Sequence, residues 1–549
     1  MSAPPAPPAP AASSSPAPPA SRPGGWAPLR HAGFRTMWTA QLASNVGGWM
    51  QTVGAQWLML SLSGSAAYLA FIQTAASLPV LLFAVVAGAV GDIVDRRRLL
   101  LVSQTAMLAA SLLLAALTIL DLVTPWVLLA LLFAVGSGQA WTSPTWQTLQ
   151  PELVPAGERP QAIALGAVNQ NLARAIGPAL GGVLVAATDP SVAFVVNAGT
   201  FLVVIVAVAR WRGARRAAAS ALPPEHLLPA VRASGRYVRN SPALRAVLAR
   251  AGAFVFFASG LWALLPAVAH GPLGLGSGGY GVLLGAVGVG AVVGAGLLPR
   301  LRARLAPDVI LAGSAVVVGA ATLVLARTGS VVAAVVALAF GGVGWILALA
   351  TLNATYQAML PAWVKARGLA FYLVVFQGGM AIGSAVLGVV AGSAGLRTTL
   401  TVAAIATAVV PLLGLLRPMP RLPADELVPA SDAPAPIPTA DDAAPAGPVL
   451  VTIERYATAG AADELAAAVA GLRRARRRTG ASAWSSWQDV ADPRRVLEQF
   501  VVATWDEHLR QHERITVRDQ HGLERVAAHA EPGRAPVITH WAAARGSGR

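Results

Sequence analysis

The chain of 549 residues contains no cysteine. Disulfides, thiol catalysis and cysteine-ligated zinc are therefore excluded. Lysine is almost as scarce: Lys365 stands alone, so arginine carries the net charge of +16. Charged residues of both signs make up only 12% of the chain, against about 25% in an average soluble domain. No Gly-x-x-x-x-Gly-Lys-[Ser/Thr] loop is present to hold nucleotide phosphates, which argues against an ATP-driven machine of that type. With 55% hydrophobic residues and a mean hydropathy of +0.60, a water-soluble fold could not hide the apolar surface. Lipid must cover part of it. A basic total of this size can point to nucleic acid. Here the arginines sit between long apolar runs, and nucleic acid is not an expected partner.

Residues 1–30 form a Pro/Ala/Ser tail that is expected to be disordered. It has neither the positive start nor the apolar core of a signal peptide, so the first span is expected to be a permanent one. Apolar runs of about 20 residues, the length that crosses a bilayer, fall near 35–62, 68–91, 99–120, 125–147, 161–187, 191–210, 243–268, 279–298, 308–326, 331–356, 367–391 and 396–416. The segments between them alternate. One set carries Arg96, Arg97 and Arg98, then Arg159, Arg210, Arg300 and Lys365; the other is nearly free of basic residues. Positive charge is retained on the cytoplasmic side. The alternation implies an even number of spans with both termini in the cytoplasm. The long connection 213–242 divides the spans into two halves, 31–212 and 243–420. The halves look duplicated. Thr145-Trp146-Gln147-Thr148-Leu149-Gln150-Pro151 closes the fourth span of the first, and Thr355-Tyr356-Gln357-Ala358-Met359-Leu360-Pro361 closes the fourth span of the second. Ala175-Ile176-Gly177-Pro178 likewise corresponds to Ala381-Ile382-Gly383-Ser384 in the fifth spans. Matches at corresponding spans in the same direction indicate a parallel repeat, two six-helix halves related by an axis along the membrane normal.

A Pro/Ala/Asp linker, 421–447, leads to a segment of soluble composition, 448–545. Alternation predicts strands at 449–455, 483–490, 496–504 and 537–541, and helices at 461–478 and 505–517. That order, β-α-β-β-α-β, is the ferredoxin-like motif. The expected fold class is an all-α polytopic membrane protein with twelve transmembrane helices in two parallel six-helix repeats, followed by a soluble α+β ferredoxin-like domain.

The membrane part resembles the major facilitator superfamily, in particular its enterobactin-exporter-like branch. Gly88-Ala89-Val90-Gly91-Asp92-Ile93-Val94-Asp95-Arg96-Arg97-Arg98 resembles the superfamily's signature between spans two and three, with Ile93 where the signature usually has Arg. Gly177-Pro178 with Gly181-Gly182 in span five resembles the motif of its exporters. The stretch from Glu507 to Arg514 looks like the dimeric α/β-barrel domain, of monooxygenase-like type, that some members carry. The resemblance implies a proton-driven secondary transporter of the plasma membrane that exports small hydrophobic or amphipathic molecules, of drug or siderophore type, by alternating access. Its partners would be the lipid bilayer, a small-molecule substrate, protons, and a second copy of the chain through the soluble domain. No enzyme activity, cofactor or metal is expected. Gly88, Asp92, Arg96, Arg97 and Arg98 would then be a gating clamp, although the arginines alone also fit a topology signal; Asp92 does not, since a carboxylate adds nothing to that rule. Gly177, Pro178, Gly181 and Gly182 would form a pliable seam built on close helix packing.

Individual residues suggest a pathway. Arg174 lies mid-span, where a charge costs about 2.5–3.5 kcal/mol on insertion scales. It should therefore face a polar cavity or a partner, whether an anionic substrate, a coupling carboxylate or a structural pair. Asn169 and Asn171 share its helix. Asn45, Gln147 and Gln357 are polar groups in other spans, the two glutamines being duplicated by the repeat. Trp141 and Tyr356 could stack on a flat substrate. Each of these is, alone, more often helix glue. No Asp or Glu lies deep in any span, so the proton carrier is not identified. His508 and His512 share a helix face, but no third ligand is evident, and a metal site is not expected. Two readings from other classes stay open: a membrane sensor signalling through its soluble tail, and a membrane-anchored monooxygenase-like protein.

Overall fold

The computed structural model describes residues 24–93, 95–211, 227–361, 363–416, 418–419, 424–426, 428, 430 and 447–542. Most of the 1–30 tail, the first part of the 213–242 connection and most of the 421–447 linker lie outside the described residues, as do the surroundings of Gly88 and the side chain of Asp92.

The first half consists of α1 (Ala32–Ser63), α2 (Ala66–Ile93), α3 (Arg96–Ile119), α4 (Pro125–Leu149), α5 (Arg159–Ala187) and α6 (Pro190–Arg210). An amphipathic helix, α7 (Leu227–Arg239), lies in the connection that the sequence reading treats as loop. The second half is α8 (Pro242–His270), α9 (Ser277–Arg302), α10 (Pro307–Arg327), α11 (Val331–Ala358), α12 (Lys365–Ala394) and α13 (Leu396–Leu413). Local chemistry sets these ends. Proline opens α4, α6, α8 and α10, where its missing N–H is an orphan in any case. Thr124, Ser330 and Asp95 accept bonds from the backbone N–H groups of Val127, Ala333 and Arg98, capping α4, α11 and α3. Gly64 ends α1 with φ of 59°, the left-handed conformation that glycine adopts without a Cβ clash.

Ten helices among the described residues are long and apolar enough to cross a membrane. The two long helices outside that set are α1 and α5. Their hydropathy is lowered by Gln41, Asn45, Gln51 and Gln56 on one and by Asn169, Asn171 and Arg174 on the other.

The packing repeats pair by pair. In the first half α1 lies on α5 and α6, α2 on α4, and α3 on α4 and α6. In the second half α8 lies on α12 and α13, α9 on α11, and α10 on α11 and α13. The two halves meet where α5 crosses α9 and α2 crosses α12, and the same exchange of halves relates these two crossings.

The tail comprises β1 (Val449–Tyr456), α14 (Ala462–Gly471), α15 (Arg473–Thr479), β2 (Ala483–Gln488), β3 (Arg495–Val502), α16 (Trp505–Glu513), α17 (Val517–His529) and β4 (Val537–Ala542). The four strands form an antiparallel sheet in the order β2-β3-β1-β4, so the expected β-α-β-β-α-β order is present. Each expected helix is in fact a pair. The first breaks at Leu472, and the second ends at Glu513, with α17 following as an element the periodicity did not reveal. A capping box between Thr516 and Asp519 starts α17 afresh. Alternate residues Val449, Val451 and Ile453 of β1 and Val496, Phe500 and Val502 of β3 are buried under the helices. Trp487 and Trp541 are exposed.

The tail rests on the second half. Glu507 of α16 accepts a bond from Arg236 of α7 at 2.8 Å. Arg514 lies 4.3 Å over the ring of Trp363, in the α11–α12 connection, and Arg478 of α15 lies 5.9 Å over the ring of Tyr237 of α7. Burial lifts the Tyr237 phenol to about 12, so it stays neutral.

Candidate functional site

The seam between the halves is built from missing side chains. A Cβ on Gly182 of α5 would stand 2.8 Å from the Cα of Gly281 of α9 and 2.8 Å from the carbonyl oxygen of Ser277. Backbone cannot yield as a flexible side chain can, so this crossing requires glycine on both sides. Gly177 and Gly181 face α1 instead. A Cβ would meet Trp49 Cβ at 2.6 Å at the first and Met50 Cα at 2.7 Å at the second. Pro178 is buried between them. The four motif residues thus thin α5 against its own half and against the other half at once. Beside them, the Tyr280 hydroxyl of α9 donates to Gln56 Oε1 of α1, and Thr74 Oγ1 of α2 donates to the Ala381 carbonyl of α12 at 2.9 Å. Helix direction places these contacts toward the end of the bundle away from the tail.

Arg174 sits at the middle of α5 in this seam. Its backbone carbonyl is 2.9 Å from the position of a Cβ on Gly288 of α9. Its guanidinium lies 5.8 Å from the ring centroid of Trp49. Trp49 is 6.5 Å from Trp262 of α8, and Trp262 is 5.3 Å from Trp345 of α11, which neighbours Phe254 and Phe376. An aromatic row therefore crosses from the first half to the second, with one cation at its edge. Among the described residues, neither Arg174 Nε nor Trp262 Nε1 has a hydrogen-bond partner. A buried donor without a partner costs about 1–3 kcal/mol, and two such donors beside one aromatic row suit a ligand that accepts hydrogen bonds. Trp49, Trp345 and Tyr280 escaped the sequence reading. A tryptophan far from the ends of an apolar span was the available signal, since membrane tryptophans concentrate at the interfaces.

The other residues singled out from sequence have defined places. Asn169 is buried; its amide donates to the Trp38 carbonyl at 2.8 Å and its oxygen accepts from Asn45 at 2.8 Å. These two asparagines bind α5 to α1. Asn171 donates to the Ala167 carbonyl of its own helix. Gln147 is exposed at the end of α4, and Gln357 donates to Asn353. Tyr356 is buried and donates to the Gly368 carbonyl at 3.0 Å. Trp141 stacks on Phe83 with centroids 6.3 Å apart. Arg96 pairs with Glu152 at 2.6 Å, and Arg97 donates to the carbonyls of Val208 and Ala209 at the end of α6. A cation there complements the helix C-terminus. Asp95 accepts from the backbone N–H of Arg98. The contacts of Arg96 and Arg97 lie within the first half.

The tail has its own cluster. His508 Nε2 of α16 is 3.0 Å from His540 Nε2 of β4 and 3.4 Å from His512 Nε2. His540 is the third histidine absent from the sequence reading, because strand and helix meet only in the fold. No group of three His, Cys, Asp or Glu among the described residues is placed to hold a metal ion. Burial, then the neighbouring His512 and His540, pushes the His508 imidazole down to about 4.

A family profile described as transmembrane secretion effectors matches residues 23–547. The staphyloferrin A transporter of Staphylococcus aureus is 27% identical over 163 residues, 29% of this chain and 41% of that protein. The multidrug efflux pump Tap of Mycolicibacterium fortuitum is 29% identical over 216 residues, 38% of this chain and 52% of that protein. The chain thus spans about half the length, or less, of the curated relatives it matches. A bacterial homologue of the human lysosomal transporter Spinster, in an inward-facing, unoccupied conformation, has a TM-score of 0.55 at 13% identity, covering 71% of this chain and 95% of that one. The nucleoside transporter NupG has a TM-score of 0.52 at 11% identity, covering 70% and 98%. These two likenesses show the fold alone.

Proposed function

Because this chain belongs to the transmembrane secretion effector family of the major facilitator transporters, we propose that it is a proton-driven exporter of small amphipathic molecules bearing an acidic group. It works by alternating access between two six-helix halves in the plasma membrane. The family is one of transporters, not enzymes. On this reading α1 and α5 also cross the bilayer, making twelve spans, with both termini in the cytoplasm. Of the polar residues that weaken their hydropathy, Arg174 then lines the pathway and the amides join the helices around it, since intramembrane polar groups face cavities or partners. The small-molecule cargoes in the two relatives' names, staphyloferrin A and multiple drugs, support a small-molecule substrate here.

The observation that carries the proposal is Arg174 beside Trp49 and Trp262 at the crossing of the halves. The guanidinium offers charge to an acid, and the aromatic row offers faces to an apolar body. Its place at the crossing exposes it alternately as the halves rock. Arg96, Arg97 and Asp92 serve the gate, and the Gly177–Gly182 segment serves the seam. Asn45, Asn169, Asn171, Gln147, Gln357, Tyr356 and Trp141 shape the surrounding helices. The exposed sheet face with Trp487 and Trp541 suits pairing with a second copy.

The test is efflux from cells loaded with a panel of aromatic acids and dyes, with and without a protonophore. Intact chain is expected to expel at least one compound in a protonophore-sensitive way, and Arg174→Ala to slow that efflux about tenfold or more. Efflux that ignores the protonophore would overturn proton coupling. Efflux unchanged in Arg174→Ala would overturn the assigned site.

A further inference from the structure

The tail encloses a cavity of about 680 Å³, within the size range of drug-sized ligand sites. Val451, Ile453 and Phe500 of the sheet and Leu523 and Val526 of α17 give it apolar walls. His508, His512, His540 and Arg476 gather at one side. The charge there is unbalanced. Glu498, fully buried, is shared by Arg455 at 3.1 Å and Arg476 at 2.9 Å, two guanidiniums against one carboxylate. The remaining charged lining residues, Arg534 and Glu531, pair with each other at 3.3 Å. Arg476 also lies 4.8 Å over the Phe500 ring, so its charge borders the apolar space directly. The imidazoles of His508 and His540 beside it, kept neutral by burial, can accept from a hydroxyl or donate to an oxygen.

The helix that supplies two of these histidines also holds the tail to the membrane part. Glu507, next to His508 in α16, bonds Arg236 of α7 at 2.8 Å and Arg514 at 2.9 Å. Arg514 in turn covers Trp363. A displacement of α16 by a ligand in the cavity must act on those contacts.

We propose that this cavity is an effector site for a small hydroxylated aromatic acid, and that its occupancy is conveyed to α7 through α16. Binding stands independently of the transport reading; only the use made of the signal rests on it.

The test uses the full chain in lipid nanodiscs and the fluorescent acid 3-hydroxy-2-naphthoate as probe. Arg174→Ala, which removes the site proposed in the membrane, is expected to keep saturable tail binding. In that background His508→Phe, or Ala527→Trp at the exposed rim of the cavity, is expected to weaken binding about tenfold or more. Probe that binds the Ala527→Trp double variant as well as Arg174→Ala alone would overturn the site. Hydrogen exchange of the α7 amides reads the conveyed signal without needing transport. The probe is expected to change it at least about twofold in intact chain and not in Arg236→Ala, which should still bind the probe. No change in intact chain, or an equal change in Arg236→Ala, would overturn the coupling. Failure of efflux in cells would leave both results standing.

Discussion

Gly182 and Gly281 approach so closely that no β-carbon fits between their helices. Gly182→Ala is expected to lower transport about tenfold while leaving the protein in the membrane, because the halves can part but cannot meet. Transport in proteoliposomes, normalised to folded protein by gel filtration, checks this; unchanged transport would mean the seam need not close. A second residue prediction concerns pH. His508 has its folded value pushed down to about 4 from an ordinary 6.5. Between those values the unfolded chain binds a proton that the folded tail refuses. The contribution of His508 to stability is therefore complete above about pH 6.5 and falls as pH drops toward 4, by about 3 kcal/mol. Exchange protection of the β1 and β3 amides, corrected for intrinsic rates, should decline across that window, and His508→Phe should abolish most of the decline. The histidines also mark a limit of sequence reading. His508 and His512 share a helical face and could be paired on paper, whereas His540 lies on β4, beyond any local periodicity.

At the scale of elements, boundaries were legible wherever punctuation was strong. All twelve apolar runs became helices ending within a few residues of the expected positions, since proline, glycine and charged clusters bound them. Two kinds of element escaped. One was α7, an amphipathic helix of only 13 residues whose Arg232, Arg236 and Arg239 lie opposite its apolar face and which packs on α8, α12 and the tail. The other was α17, hidden because its composition is polar and only Gly522 and Val526 are buried. The polar helices α1 and α5 read as spans by length, and their polar residues read as a pathway. In the structure Asn45 and Asn169 bind α1 to α5, the helix-joining role that the sequence reading set beside the pathway one. α7 yields its own prediction. Arg236→Ala removes the bond to Glu507, so limited proteolysis of the 212–242 region should speed up several-fold. An unchanged cleavage rate would show that ring contacts such as Arg478 over Tyr237 suffice to hold the tail.

For the whole molecule, the natural absence of cysteine makes the relation between halves directly measurable. A Cβ on Gly278 of α9 would stand 3.6 Å from the Cβ of Ala186 of α5, inside the about 3.5–4.5 Å separation of disulfides. The pair Gly278→Cys and Ala186→Cys should therefore oxidise readily, fix the halves together at the end away from the tail, and stop transport until a reductant is added. A bridge that leaves transport intact would contradict alternating access. The parallel repeat was legible from two short motifs. The exchange of α5–α9 for α2–α12 was not, because no sequence pattern records which helices of opposite halves touch. The clasp between tail and α7 has a consequence in time. Arg236 and Glu507 are separated by 271 residues, so ribosomes adding 5–20 residues per second make the first about 15–50 s before the second. Through that interval six further helices are made, and α8 and α12 among them pack on α7 while Arg236 still lacks Glu507. Its tail partner arrives last, so the clasp can close only on a chain synthesised through to its tail, and a nascent chain released early keeps Arg236 without its carboxylate.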